Sequence, residues 1–198
     1  MGKASNRHSD DDQLMLAYGR GNAAAFEELF RRYKDKTYSF FLRATGNRAV
    51  AEDLFQTTFL RLHRARKTYN GGSFRAFLFT VAANLLRDER ARVEHRRRVD
   101  TAGEPAEALA ESKQADSPED LAEAAETRAL LESAIAHLPA GLRDVLLLSR
   151  YQALNNAEVA AALGISPGAA RVRLFRALTM MREKLGIAVS RHDEAGNE

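Results

Sequence analysis

The sequence predicts an all-α protein of two small helical domains joined by a flexible acidic linker, the second a helix-turn-helix domain. Three observations carry this. From about residue 10 to residue 185 the apolar residues recur at helical spacing, without the β-branched alternation of strands. The stretch DTAGEPAEALAESKQADSPED is rich in Ala, acids, Pro and Gly, holds no aromatic residue, and so has too little to bury. Beyond it, NNAEVAAALGISPGAARVRLFRAL reads as helix, tight turn, helix. The expected boundaries are 10–98 for the first domain, 99–117 for the linker, 118–186 for the second domain and 187–198 for a polar tail.

Taken in order, Asp11 or Asp12 is placed to cap a first helix through Leu14, Leu16 and Tyr18, which Gly19 and Gly21 stop. Asn22 caps a second helix with Phe26, Leu29, Phe30, Tyr33, Thr37 and Phe40 at helical spacing, broken by Gly46-Asn47. A third, from Ala49 to about Arg66, buries Ala51, Phe55, Phe59 and Leu62. Asn70-Gly71-Gly72 is an interhelix loop rather than a hairpin. In the fourth helix Phe74, Phe77, Leu78, Val81 and Leu85 make one apolar stripe, and a core role explains them. Phe79 and Leu86 lie off that stripe, beside Arg75 and Arg90, and the sequence leaves open whether Phe79 faces core or a nucleic acid. The helix ends in a basic run, Arg87 to Arg98.

Ser117-Pro118-Glu119-Asp120 is a helix start, with a cap, a first-turn proline and acids at the positive end of the dipole. That helix runs to His137 and stops at Leu138-Pro139; the next carries Leu142, Val145, Leu146 and Ser149 and ends near Gln152. In the last pair, Asn155 is a cap, Val159, Ala160 and Leu163 face inward, Gly164 permits the turn and Ile165 plugs the corner. Ser166 and Pro167 start the final helix, on which Val172 and Phe175 are expected to pack and Arg171, Arg173 and Arg176 to project. An open helix N-terminus followed by arginines suits a DNA major groove; a helical hairpin with solvated arginines is the plainer alternative.

Composition narrows the function. The 198 residues are 45% hydrophobic and 29% charged, with a formal net charge of +3. That charge is unevenly spread: residues up to 99 are strongly basic, 100–126 strongly acidic, and 127–185 basic again. Two basic segments around an acidic spacer fit two sites for a polyanion, or equally two solvated surfaces. The absence of cysteine excludes disulfides and thiolate metal sites, and is compatible with a reducing cytosol. No apolar run approaches the roughly 20 residues that span a bilayer, and MGKASNRHSDDD lacks the apolar middle of a signal peptide. A cytoplasmic protein without membrane insertion is expected. His8, His63, His95, His137 and His192 are scattered, with no HExxH, Gly-rich phosphate loop or Gly-x-Ser-x-Gly, so neither an enzyme nor a cofactor or metal site is expected.

Both halves together are more specific than either alone. DDQLMLAYGRGNAAAFEELFRRY, AEDLFQTTFLRL and GSFRAFLFTVAANLLRDERAR in the first half, with LPAGLRDVLLLSRY and EVAAALGISPGAARVRLFRAL in the second, resemble the extracytoplasmic-function group of bacterial RNA polymerase sigma factors. The resemblance implies a polymerase-binding and promoter-melting domain, a linker, and a helix-turn-helix domain for the upstream promoter element. It implies partners in core RNA polymerase and in promoter DNA, duplex and melted, and leaves room for an anti-sigma protein. By similarity Asp53, Gln56, Thr57 and Leu60 face the polymerase. Asn70, Gly71, Gly72 and Ser73 form the loop that captures a flipped base of the downstream element, with Asn84, Arg87 and Arg90 serving the single strand. Ser166, Ala169, Arg171, Arg173 and Arg176 read or clamp the upstream duplex. The chain departs from the family pattern at Thr57, where Glu is usual, at His63 and Phe77, where Trp is frequent, and at Ala153-Leu154-Asn155 before the motif. Competing readings are a free-standing helix-turn-helix regulator and a helical adaptor whose basic faces bind an acidic protein.

Overall fold

The computed structural model describes residues 3–99 and 120–186. Among them every regular element is helical: α1 (Lys3–Gly19), α2 (Ala23–Thr45), α3 (Arg48–Ala65), α4 (Phe74–Val99), α5 (Asp120–Ala136), α6 (Ala140–Leu146), α7 (Asn156–Leu163) and α8 (Pro167–Lys184). The expected linker, the Ser117-Pro118 helix start and the polar tail lie outside the described residues.

Several helix starts follow local chemistry. Asn22 accepts from the Ala25 amide and Asn47 from the Val50 amide. Asn155 accepts from Ala157 and Glu158 while Glu158 returns a bond to the Asn155 amide, a reciprocal capping box. Ser166 accepts from the Ala169 amide, with Pro167 at the first helical position. Gly164 takes the left-handed conformation, φ 65°, that turns α7 into α8. The expected cap of α1 is different. Asp11 and Asp12 lie inside α1, which begins at Lys3, so their carboxylates are free to serve other helices.

The first core is aromatic. Tyr18 stacks on Phe26 at 4.8 Å, and Phe30 meets Phe59 edge-on at 4.9 Å. Phe26, Phe30 and Phe55 are partly buried against this core, while Leu29, Phe40, Phe41, Leu62 and Phe74 are sealed. Phe79 is sealed as well, with an edge-on contact to Phe40 at 5.8 Å, and Leu86 is buried beside it. The question left by the sequence is therefore answered for core. Phe77 and Val81, on the expected stripe, are only partly covered.

The second helical region docks directly on the first, α7 against α4 and α5–α6 against α2. Arg43 forks onto Glu132, at 2.7 Å for the closest pair, and its guanidinium lies 4.6 Å from the Tyr151 ring. Arg90 forks onto Asp144 at 2.5 and 3.0 Å. Arg90 and Arg143 also both donate to the Ala44 carbonyl, which the α2 C-terminus would otherwise leave without a partner. The helix expected to end near Gln152 changes its winding: α6 passes into a π-helical turn, Leu147–Tyr151. Gln152 then donates to the Lys36 carbonyl of α2 at 3.4 Å.

Since Phe79 fills the space between α4 and α2, Phe79→Ala should lower the unfolding free energy by about 3–5 kcal/mol. Urea unfolding followed by circular dichroism should show a lower midpoint at unchanged slope.

Candidate nucleic-acid interface

Helix α3 separates its faces cleanly. Ala51, Leu54, Phe59 and Leu62 are buried, and the Thr58 hydroxyl is satisfied by the Leu54 carbonyl. Asp53, Gln56 and Leu60 stand exposed on the other side with Thr57 half-exposed between them, at i, i+3, i+4 and i+7. Leu60 is 48% exposed, which on a helix with a complete core marks surface available to a partner.

The loop before α4 is supported from two directions. Gly71 and Gly72 have φ of 100° and 101°, a backbone that other residues rarely adopt. Ser73 accepts from the Ala76 amide at 3.2 Å, and Asp12, reaching from α1, accepts from the Phe74 amide at 2.6 Å. Asn70 and Gly72 are exposed; Gly71 and Ser73 are half-exposed. Further along α4, Asn84 accepts from Arg87, and Arg87 is exposed. Arg90 is not free: its guanidinium is held by Asp144. Arg75, on the same side, lies 3.7 Å from Glu158 of α7. The α7–α8 turn also comes close, with an Arg87 nitrogen 3.7 Å from where a Cβ on Gly164 would stand. In this arrangement the second helical region covers part of the α4 surface that was expected to meet a single strand.

Helix α8 buries Ala170, Ala177 and Met181, with Leu174 packed against them. Arg171 and Arg176 project as expected, whereas Arg173 is half-buried on the side of Gly141. Ser166 is exposed and Ala169 half-exposed at the helix start. The expected packing of Val172 and Phe175 is overturned: they are 50% and 67% exposed. The stripe Ala170, Leu174, Ala177, Met181 already closes the inner face at i, i+4, i+7 and i+11, so both fall outside it. They sit among Arg171 and Arg176, an apolar component the sequence reading missed, and one that a thymine methyl could meet. The signal was present, since a complete inner stripe leaves the remaining apolar residues outside.

Among the described residues no group of three or more His, Asp or Glu side chains could hold a metal ion, and no helix is long and apolar enough to cross a membrane.

Comparison with known proteins gives the same division. Residues 29–98 match Sigma-70 region 2, and residues 128–181 match Sigma-70, region 4. The RNA polymerase sigma factor CarQ of Myxococcus xanthus is 37% identical over 87% of this chain and 95% of its own length. The extracytoplasmic-function sigma factor SigL of Mycobacterium tuberculosis is 35% identical over 87% of this chain and 99% of its own. The fold is similar to that of RpoE from Bartonella quintana, solved with the anti-sigma factor NepR, with a TM-score of 0.68 at 22% identity over 83% of this chain and 98% of that one. It is also similar to CnrH, solved with the cytosolic domain of CnrY, with a TM-score of 0.61 at 23% identity over 90% and 99%.

Asp144→Asn removes the charge that holds Arg90, so the isolated chain should bind single-stranded DNA severalfold more tightly at low salt. Fluorescence anisotropy with a labelled oligonucleotide would show it, and an unchanged affinity would mean that the Arg90–Asp144 pair does not limit strand binding by the isolated chain.

Proposed function

The chain belongs to the extracytoplasmic-function group of sigma-70 family RNA polymerase sigma factors, and from that premise we propose which of its surfaces carries each step. It directs promoter recognition by RNA polymerase, binding the core enzyme and promoter DNA, and it is not an enzyme. The division of labour follows the two regions: 10–98 binds polymerase and melts the promoter, and 118–186 reads the upstream element.

The core polymerase binds the outer face of α3 through Asp53, Gln56, Thr57 and Leu60. The observation that carries this assignment is that these four share one face of α3, three of them exposed and Thr57 half-exposed, while Ala51, Leu54, Phe59 and Leu62 are buried on the other. Asn70, Gly71, Gly72 and Ser73 capture a flipped base, and Asn84, Arg87 and Arg90 follow the single strand. Ser166 and Ala169 present the α8 N-terminus to the duplex, Ser166, Arg171 and Arg173 read bases with Val172 and Phe175 beside them, and Arg176 takes phosphate. The energetics require the polymerase. Melting loses about 1.4 kcal/mol of stacking per step, and pocketing one base returns only about 1–3 kcal/mol. A chain of this size therefore holds a bubble open only with a large partner supplying phosphate contacts. Duplex binding by α8 in turn presents the first region to the melted strand at high effective concentration.

The proposed setting, following from work with core polymerase, is the cytoplasm. We infer that an anti-sigma protein is a further partner, as the structurally similar RpoE was solved with one.

Gel filtration with sigma-free core polymerase tests the assignment. The chain should co-elute, and Asp53→Ala with Gln56→Ala should weaken the complex about tenfold, as expected for central interface residues. DNA binding without any co-elution would instead favour a free-standing helix-turn-helix regulator. On duplex promoter DNA, Arg171→Ala should relax base preference at a cost of about 1–3 kcal/mol, while Arg176→Ala should reduce the salt slope of binding by about one without changing preference.

A further inference from the structure

The base-capturing loop has an unusual weakness. Two consecutive glycines with positive φ lie at its centre, and a Cβ on either would meet nothing within 4 Å. Such a segment has more backbone freedom to lose than any other, and little packing to oppose it. Something else must hold it in one shape if it is to distinguish bases.

Two side chains from outside the loop do so. The Tyr69 hydroxyl donates to the Gly72 carbonyl at 2.6 Å, a bond across the loop that joins the residue before it to its last glycine. The same hydroxyl is 3.3 Å from Asp12 Oδ1, the oxygen that accepts from the Phe74 amide. The Tyr69 ring is itself fixed on α4, 5.3 Å from Phe77. Asp12 is fixed in turn through its neighbour: Asp11 accepts from the buried Tyr33 hydroxyl at 2.5 Å and from Arg32 at 2.7 Å, both on α2. Burial and the nearby Asp12 charge push the Tyr69 phenol well above its ordinary value, so it remains a hydrogen-bond donor at any cellular pH.

We propose that Asp12 and Tyr69 are positioning residues that hold the Asn70–Ser73 loop in its base-accepting shape and thereby set selectivity for the flipped base, without themselves touching DNA. This rests on the reading of that loop as the base-capturing element. Asp12 fixes the loop's downstream end by capping α4, and Tyr69 fixes its span. The Tyr69 hydroxyl also approaches the Asp12 oxygen that holds Phe74, so the effects of the two are coupled rather than additive.

The test uses holoenzyme assembled from the full chain and core polymerase. It is challenged with a library of premelted DNA templates randomised over the upstream duplex and the open segment, and the bound templates are sequenced. The unaltered chain should prefer one base at one open position. Tyr69→Phe keeps the ring and loses only the hydroxyl; it should reduce that preference about fivefold, the effect of one net hydrogen bond. Core affinity should not change, and the thermal midpoint should fall by only a few degrees, the loss of one hydrogen bond. Asp12→Ala should do the same and add little in combination with Tyr69→Phe, whereas Asp12→Asn, which retains Oδ1, should restore the preference. Should Asp12→Ala fail to fold, Tyr69→Phe alone decides. Asn70→Ala and Ser73→Ala separate the two ideas. If they abolish the preference while Tyr69→Phe leaves it intact, the positioning role is overturned and the loop assignment stands. If they too leave it intact, the loop assignment fails and the inference fails with it.

Discussion

Helix α4 carries more apolar surface than one interface can cover, and that constraint orders the rest of the molecule. Phe74, Leu78 and Leu85 lie on one line of the helix, and Phe79, Ala82, Ala83 and Leu86 are buried beside it. Such a broad apolar sector needs several neighbours, and α4 packs against α1, α2, α3 and α7. The side left uncovered by these neighbours includes Asn84, Arg87 and the half-buried Arg90, with the loop at its head.

Electrostatics settle how the second helical region meets that side. The arginines of α2 and α4 find carboxylates: Arg43 with Glu132, Arg75 with Glu158, Arg90 with Asp144. The last pair is partly desolvated, and the neighbouring Arg143 is held below its ordinary value by burial first and by the Arg90 charge second. A partly buried pair adds little net stability once desolvation is counted, but leaving one member unpaired is costly. These pairs therefore specify which surfaces meet more than they strengthen the contact. A phosphate can replace a carboxylate in such a pairing with little change in its geometry.

What the sequence revealed follows the range of each interaction. The caps Asn22, Asn155 and Ser166 and the Gly164 turn were readable because donor, acceptor and backbone demand lie within a few residues of one another. The outward face of α3 was read from the family resemblance, and periodicity supplied only the inner stripe opposite it. Asp11 and Asp12 were misread as caps because their partners Arg32, Tyr33, Tyr69 and Phe74 are remote in sequence, and nothing local reports them. The charge pairing of α2 and α4 with the second region was hidden for the same reason. Val172 and Phe175 were misread because any apolar residue near a helix stripe was credited to the core. Counting the residues needed to close that stripe would have released them.

The three candidate surfaces differ in access, and the difference orders the events of initiation on the assignment proposed above. The α3 face and the outward face of α8 are open in this arrangement, whereas Arg90 and Arg75 on α4 are engaged by the second region. Core polymerase can thus be met without any rearrangement, but strand contact through Arg90 requires Asp144 to withdraw. One charge-assisted pair is exchanged for another, so the exchange is nearly balanced in ion pairing. Its direction is then set by whatever favours separation of the two regions. Duplex DNA on α8 and polymerase on α3 would both do so if they hold their faces farther apart than the docked arrangement allows. A closed chain meeting DNA alone has only the strand itself to oppose three ion pairs and the α4–α7 packing. On that assignment, strand contact is disfavoured in the free chain by the same surface that makes it.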